Sequence, residues 1–110
     1  MPPTKKFEKK YEIQREINIV TTEIVTARKE LESIKVEISD VQWKKIGFRE
    51  IITGDDNLTD KIAAQQNHEA LCDKEDELCK EKEKLQRKLP KLEERKKQLE
   101  EFKDEWTGPD

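Results

Sequence analysis

Apolar side chains in the first half of the chain recur at alternating intervals of three and four residues. The unbroken part of this series is Ile17, Val20, Ile24, Ala27, Leu31, Ile34, Ile38 and Val41. Read as heptads, these residues occupy the a and d positions, which form one apolar stripe along a helix. The spacing therefore predicts a long helix whose stripe packs as a coiled-coil seam.

The second half of the chain carries an apolar residue at every seventh position. This series is Leu71, Leu78, Leu85, Leu92 and Leu99, with Trp106 in phase. The companion seam positions are mostly polar, and their aliphatic stems can still cover a neighbouring helix. Pro90 lacks an N–H and clashes with the preceding turn, so we expect a kink or a break of the helix near Arg87–Leu89.

Residues 54–57 read Gly-Asp-Asp-Asn, and these residue types favour turns and helix caps. They lie in the middle of the chain, between the two periodic halves. The predicted segments are a disordered N-terminus at 1–4, a helical arm at 5–53, a turn at 54–57, a second arm at 58–106 and a tail at 107–110.

The two stripes come into phase across this turn if the position numbers of facing residues add to 109. Ile17 then faces Leu92, and Phe7 meets Phe102 beside the seam. The sequence therefore predicts an all-α fold, a long antiparallel two-helix coiled-coil hairpin. A straight or intermolecular rod is the alternative if the chain does not fold back at Gly54. The predicted intramolecular seam consists of Ile17, Val20, Ile24, Leu31, Ile38, Leu71, Leu78, Leu85, Leu89 and Leu92.

The first arm also carries apolar residues outside its seam. The candidate partner face consists of Ile19, Val25, Val36, Trp43 and Ile46. On an isolated hairpin these side chains would be in water. We expect them to pack against another chain or another copy, so that the hairpin is part of an oligomeric helical bundle.

Composition narrows the class of protein further. Charged residues make up 45% of the chain and aromatic residues 5%, which is too polar for a deep globular core and typical of long helices or disorder. The net charge of −3 is spread over mixed signs, so nucleic acid is not an expected partner. The sequence has no apolar stretch of about 18 residues and no apolar run near its first lysines, so we expect neither a membrane span nor a signal peptide. With Cys72 and Cys79 predicted as unpaired thiols, we expect a cytoplasmic or other reducing intracellular location.

The residue types that carry catalysis are not arranged for it. The sequence has no glycine-rich phosphate loop and no Ser-His-Asp or Cys-His constellation, and its one histidine, His68, is expected on the helix surface or in the seam. Asp55, Asp56 and Asn57 lack the spacing of a calcium loop and are expected to cap a helix. We therefore predict no enzymatic activity, no catalytic residue, no cofactor and no metal.

These observations predict a structural and interaction module that mediates oligomerisation or scaffolding through its apolar helix faces. Its partner is either another protein or a second copy of the chain. The sequence also fits a piece of a longer coiled-coil protein.

An alternative begins from residues 43–53, Trp-Lys-Lys-Ile-Gly-Phe-Arg-Glu-Ile-Ile-Thr, which fit two short β-strands. With strands there, the layout resembles a β-type prefoldin subunit, in which two helical arms are joined by a short strand hairpin. The resemblance implies a chaperone subunit of a hexamer that holds unfolded clients at the tips of its arms.

Overall fold

The computed structural model describes residues 7–108, and in this range the chain is an all-α helical hairpin. Helix α1 spans Lys10–Thr53 and helix α2 spans Leu58–Asp104. The predicted fold class is thereby confirmed at the level of a two-helix hairpin. The disorder predicted for residues 1–4 lies outside the described residues.

Both helices are shorter than the predicted arms. Helix α1 begins at Lys10, where the Glu12 side chain accepts a hydrogen bond from the Glu8 backbone N–H and so satisfies a group beside the first turn. Helix α2 ends at Asp104, and the Trp106 N–H then donates to the Lys103 carbonyl in a tighter turn.

Residues 43–53 are helical, so the two strands that the prefoldin resemblance implies are not formed. The seam continues through this segment, because Lys45, Phe48 and Ile52 are all half-buried. Gly47 lowers helix stability by about 1 kcal/mol relative to alanine. This penalty is smaller than the free energy gained by packing these three side chains in the seam.

Gly54–Asn57 connect the helices. The Gly54 N–H donates to the Ile51 carbonyl at 3.4 Å, which closes the last turn of α1. The Asn57 side-chain oxygen accepts a hydrogen bond from the Asp60 N–H at 2.9 Å. Asn57 is therefore the N-cap of α2, in keeping with the preference for asparagine at this position.

The hairpin divides into two compact units, each of which pairs a segment of α1 with a segment of α2. The terminal unit combines the described residues up to Lys29 with those from Arg87, and the central unit is Glu30–Gln86. In the terminal unit the buried residues are Ile13, Ile17, Val20, Ile24 and Leu99, packed against Phe7, Leu89, Leu92 and Trp106. In the central unit they are Ile34, Val41 and Leu78, packed against Ile38, Leu71 and Leu85.

The register in the central unit differs from the predicted sum of 109. Leu78 is buried in one cluster with Ile34 and Val41, which places it level with position 38 and makes the sum 116. Lys45 and Glu75, whose numbers add to 120, form an ion pair of 2.9 Å. At a sum of 109 these two residues would be offset by eleven residues of helical rise, about 16 Å, which their side chains cannot span.

The terminal unit shows the same correction of one heptad. Its polar contacts between the helices join Gln14 to Lys103, Glu16 to Arg95 and Arg28 to Glu93. Their position numbers add to 117, 111 and 121, which scatter around 116. The predicted contact between Phe7 and Phe102 is present, with ring centroids 5.8 Å apart. Phe7 precedes α1, so the helical register does not determine its position.

Pro90 lies inside α2, and the helix continues through it. Pro90 cannot donate to the Gln86 carbonyl, but both residues are exposed, so water can satisfy that carbonyl. The helix is therefore not broken at Pro90, and a kink there stays a prediction.

Candidate functional site

The predicted seam residues lie on the inner side of the hairpin. Four of them, Ile17, Val20, Ile24 and Leu78, are buried. The other six are half-buried, namely Leu31, Ile38, Leu71, Leu85, Leu89 and Leu92. These side chains pack within the chain, and the half-buried ones keep part of their surface exposed.

The predicted partner face lies on the outer side of α1. Its five members are exposed by 43–71%, namely Ile19, Val25, Val36, Trp43 and Ile46. Ile19 and Val25 belong to the terminal unit, and the other three belong to the central unit.

Val36, Trp43 and Ile46 form a patch that we call the Trp43 face. Their spacings of seven and three residues put them on the same side of α1. Trp43 is 71% exposed and Val36 is 60% exposed. A tryptophan buries about 150–250 Å² when it is enclosed. The Trp43 face therefore holds a large apolar side chain that the hairpin itself does not cover.

The residues one turn before and one turn after Trp43 are small. These are Ser39 and Gly47, both exposed. A Cβ atom added at Gly47 would meet nothing within 4 Å, and the backbone there does not have a positive φ. The fold of this chain therefore does not require a glycine at position 47. Its effect is to leave the helix backbone beside the indole open to close approach.

Helix α2 also exposes apolar residues, which were not included in the predicted face. Leu58 is 73% exposed and Ile62 is 51% exposed, both in the central unit. Phe102 is exposed in the terminal unit but contacts the rings of Phe7 and Trp106. The signal for Leu58 and Ile62 was their position outside the leucine repeat.

The seam of the central unit contains an ion-paired layer, formed by Lys45 and Glu75. Their side chains are only 15% and 19% exposed. The hydrogen bond between them is the main cause that raises the pKa of Lys45 and lowers the pKa of Glu75. Gln42 also donates to Glu75. Each charge is therefore held by its partner, and the layer stabilises the ionised forms of both groups.

His68 and Cys72 lie next to this layer. The His68 Nδ1 atom is 3.7 Å from the Cys72 sulfur, and its Nε2 atom is buried without a hydrogen-bond partner among the described residues. Cys72 and Cys79 form no disulfide. Residues 7–108 contain no group of three or more His, Cys, Asp or Glu side chains placed to hold a metal ion.

Known proteins give no information on the function of this chain. No protein-family model, curated protein or solved structure matches the chain. Between residues 7 and 108, neither helix has a stretch that is both long and apolar enough to cross a bilayer.

Proposed function

We propose that this chain is a non-enzymatic coiled-coil module that mediates oligomerisation or scaffolding through its apolar helix faces. The observation that carries this proposal is the exposure of Trp43, which stands on the outside of α1 between two small residues. An aromatic residue in such a position is the type of side chain that dominates binding energy at protein interfaces.

The proposed partner is a protein that offers an apolar groove to α1. Trp43 would be the anchor, with Val36 and Ile46 beside it, and Gly47 would let the partner approach the helix backbone. This is the helix-in-groove mode of recognition, in which residues at spacings of three, four and seven provide the contacts. Mixed surface charge makes nucleic acid a poor ligand, and two unpaired thiols support a reducing intracellular compartment such as the cytoplasm.

The alternative proposal is a prefoldin-like chaperone subunit. Its layout argument depended on strands at residues 43–53, and these residues belong to α1. The two proposals differ in the kind of protein that the chain would bind. An interaction module binds one folded partner, whereas a chaperone subunit suppresses the aggregation of many unfolded proteins.

A photo-crosslinking residue at position 43 tests the proposal, with the same residue at exposed Lys74 as the matched control. We expect position 43 to form a specific crosslink in native extract that mass spectrometry identifies. Purified partner should then bind Trp43→Ala more weakly than wild type by at least tenfold, because an anchor residue contributes about 2 kcal/mol or more. Equal binding of both proteins, or equal crosslinking from both positions, would contradict the proposal.

A further inference from the structure

The central unit carries two rows of exposed polar residues that match each other. On α1 the row is Lys35, Gln42 and Arg49, and on α2 it is Glu69, Asp76 and Glu83. Each row has a spacing of seven residues, which keeps its members on one side of the helix. The α1 row carries two cations and one neutral amide, and the α2 row contains only carboxylates. We call these six residues the flank face.

The two rows lie on the same side of the seam. Gln42 reaches across from α1 to hydrogen-bond Glu75, and Cys72 of α2 lies beside Lys45. Gln42 and Cys72 therefore border the Lys45–Glu75 layer from the same flank. Asp76 follows Cys72 by one turn of α2, so its row continues on that flank.

The charges of the flank face are little used within the chain. Arg49, Asp76 and Glu83 form no ion pair among residues 7–108, and Lys35 pairs only with exposed Glu32 at 3.5 Å. Glu69 accepts a hydrogen bond from a neighbouring glutamine on its own helix. Gln42 donates to half-buried Glu75, whereas the five charged groups can pair with a second surface without breaking a buried contact.

The rows are also in register with each other. The pairs 35 with 83, 42 with 76 and 49 with 69 each add to 118, close to the sum of 116 that places residues of α1 and α2 level. Side chains on antiparallel helices lean toward opposite ends, so contacting pairs have sums slightly above the level value. The Lys45–Glu75 pair shows the same displacement, with a sum of 120.

We infer that a second copy of this chain covers the flank face. A two-fold axis parallel to the helices places α1 of one copy over α2 of the other at the same level, with both turns at the same end. In each copy, the row of Lys35, Gln42 and Arg49 then faces the carboxylate row of the other copy. The two-fold axis repeats this contact, so the dimer contains it twice. The result is a four-helix bundle of the two central units.

On the opposite flank the rows nearest the seam do not match at this register. There the same register would bring Glu37 of one copy to Glu81 of the other, and Lys44 to Lys74, since these pairs also add to 118. Like charges that face each other across an interface disfavour the complex. The outer row of α2 on that flank, Glu77 and Lys84, carries signs opposite to Lys44 and Glu37, so the flank face is distinguished by rows of a single sign of charge that match at a sum of 118.

Apolar surface on the same side completes the interface. Ile62 lies seven residues before Glu69 and heads the carboxylate row, and Ile46 lies one turn after Gln42. Both are exposed. Exposed ion pairs contribute little affinity by themselves, so burial of these side chains supplies the attraction while the charges set the register. The Trp43 and Val36 row stays outside this interface and remains open to another partner.

Charge reversal tests the inference by sedimentation velocity from low to high micromolar concentration. Wild type should dimerise, and both Lys35→Glu/Arg49→Glu and Glu69→Lys/Glu83→Lys should dissociate at least tenfold more readily. An equimolar mixture of the two variants should regain the dimer, because each reversed row then meets its complement. The control Lys44→Glu/Lys74→Glu changes the net charge as much as the first variant, on the opposite flank, and should dimerise like wild type.

A carbodiimide crosslink keeps the test independent of variant folding. In a mixture of ¹⁴N- and ¹⁵N-labelled wild-type chains, we expect an inter-copy crosslink between Lys35 and Glu83. A monomeric wild type, a mixture that stays monomeric although both variants are helical, or a Lys35–Glu83 crosslink found only within one copy would overturn the inference. Failure of the Trp43 crosslinking experiment would leave it unaffected, since Trp43 and Val36 lie outside this interface and only Ile46 of the Trp43 face belongs to it.

Discussion

The Lys45 ammonium lies 2.9 Å from the Glu75 carboxylate, across the seam between α1 and α2 in the central unit. Both residues occupy seam positions, and the fully buried side chains of this seam are apolar. A shift of one heptad between the helices would bring Lys45 to His68 or Lys82, and Glu75 to Ile38 or Ile52, so both charges would lose their partner. The pair therefore favours the observed register over its neighbours, as polar seam residues do in coiled coils.

A double-mutant cycle measures this contribution. We expect Lys45→Met and Glu75→Gln to lower the free energy of unfolding by about 1–3 kcal/mol each, because each leaves a half-buried charge without its partner. The coupling energy should be about 1–2 kcal/mol. The matched control is the exposed pair of Glu32 and Lys35, whose coupling should stay below about 0.5 kcal/mol in urea unfolding. Equal coupling in both pairs would contradict a special role for the seam layer.

The same pair predicts a pH dependence of stability. The pKa of Glu75 is lowered from 4.5 in the folded chain, so its contribution is present above 4.5 and is lost as the pH falls through the folded pKa. The pKa of Lys45 is raised from 10.5, so its contribution is present below 10.5 and is lost as the pH rises through the folded pKa. The stability difference between wild type and Glu75→Gln should therefore be constant near neutral pH and shrink in acid. A difference that grows in acid would show that the pair does not stabilise the fold.

Two glycines should respond to alanine in opposite directions. Gly47→Ala should stabilise the chain by about 0.5–1 kcal/mol, because the added methyl group meets nothing within 4 Å and the helix propensity rises. Gly54→Ala should destabilise it, because the added Cβ would lie 2.9 Å from the Glu50 carbonyl oxygen. Thermal unfolding of both variants in parallel checks the sign of each effect. Loss of stability in Gly47→Ala would mean that the helix is not continuous there.

Two leucines of α2 allow the effect of substitution to be compared between a buried and an exposed position. Leu99 is 2% exposed in the core of the terminal unit, and Leu58 is 73% exposed at the start of the helix. We expect Leu99→Ala to cost about 2–4 kcal/mol and Leu58→Ala less than about 0.5 kcal/mol at low protein concentration. Urea unfolding at fixed concentration compares the two. Similar losses would indicate that Leu58 is covered in the folded protein.

Short-range chemistry explains the parts of the fold that the sequence predicted. The three-and-four spacing placed apolar residues on one side of each helix, and burial follows that side from Ile13 to Leu99. Gly54 and Asn57 fall in the connection between the helices because each favours a turn or a cap over a helix interior. The periodicity also identified the exposed apolar side chains of α1. It did not identify Leu58 and Ile62, because their neighbours on α2 are mostly polar.

Residues 43–53 show where local pattern becomes ambiguous. A short stretch with Gly47 and several apolar residues fits either two strands or a helix, since periodicity cannot separate the two over so few positions. Packing decided in favour of the helix. Lys45, Phe48 and Ile52 continue the seam of α1, and a strand would have removed all three from it.

The sequence by itself determined that the chain forms two helices, which side of each helix is buried and where the chain turns, because these properties depend on spacing and on single residue types. The register between the helices was decided only in the tertiary structure. A heptad pattern matches itself after a shift of seven residues, so sums of 109 and 116 bury the same types of position. Contacts between specific side chains remove this degeneracy: Leu78 packs with Ile34 and Val41, and Lys45 pairs with Glu75.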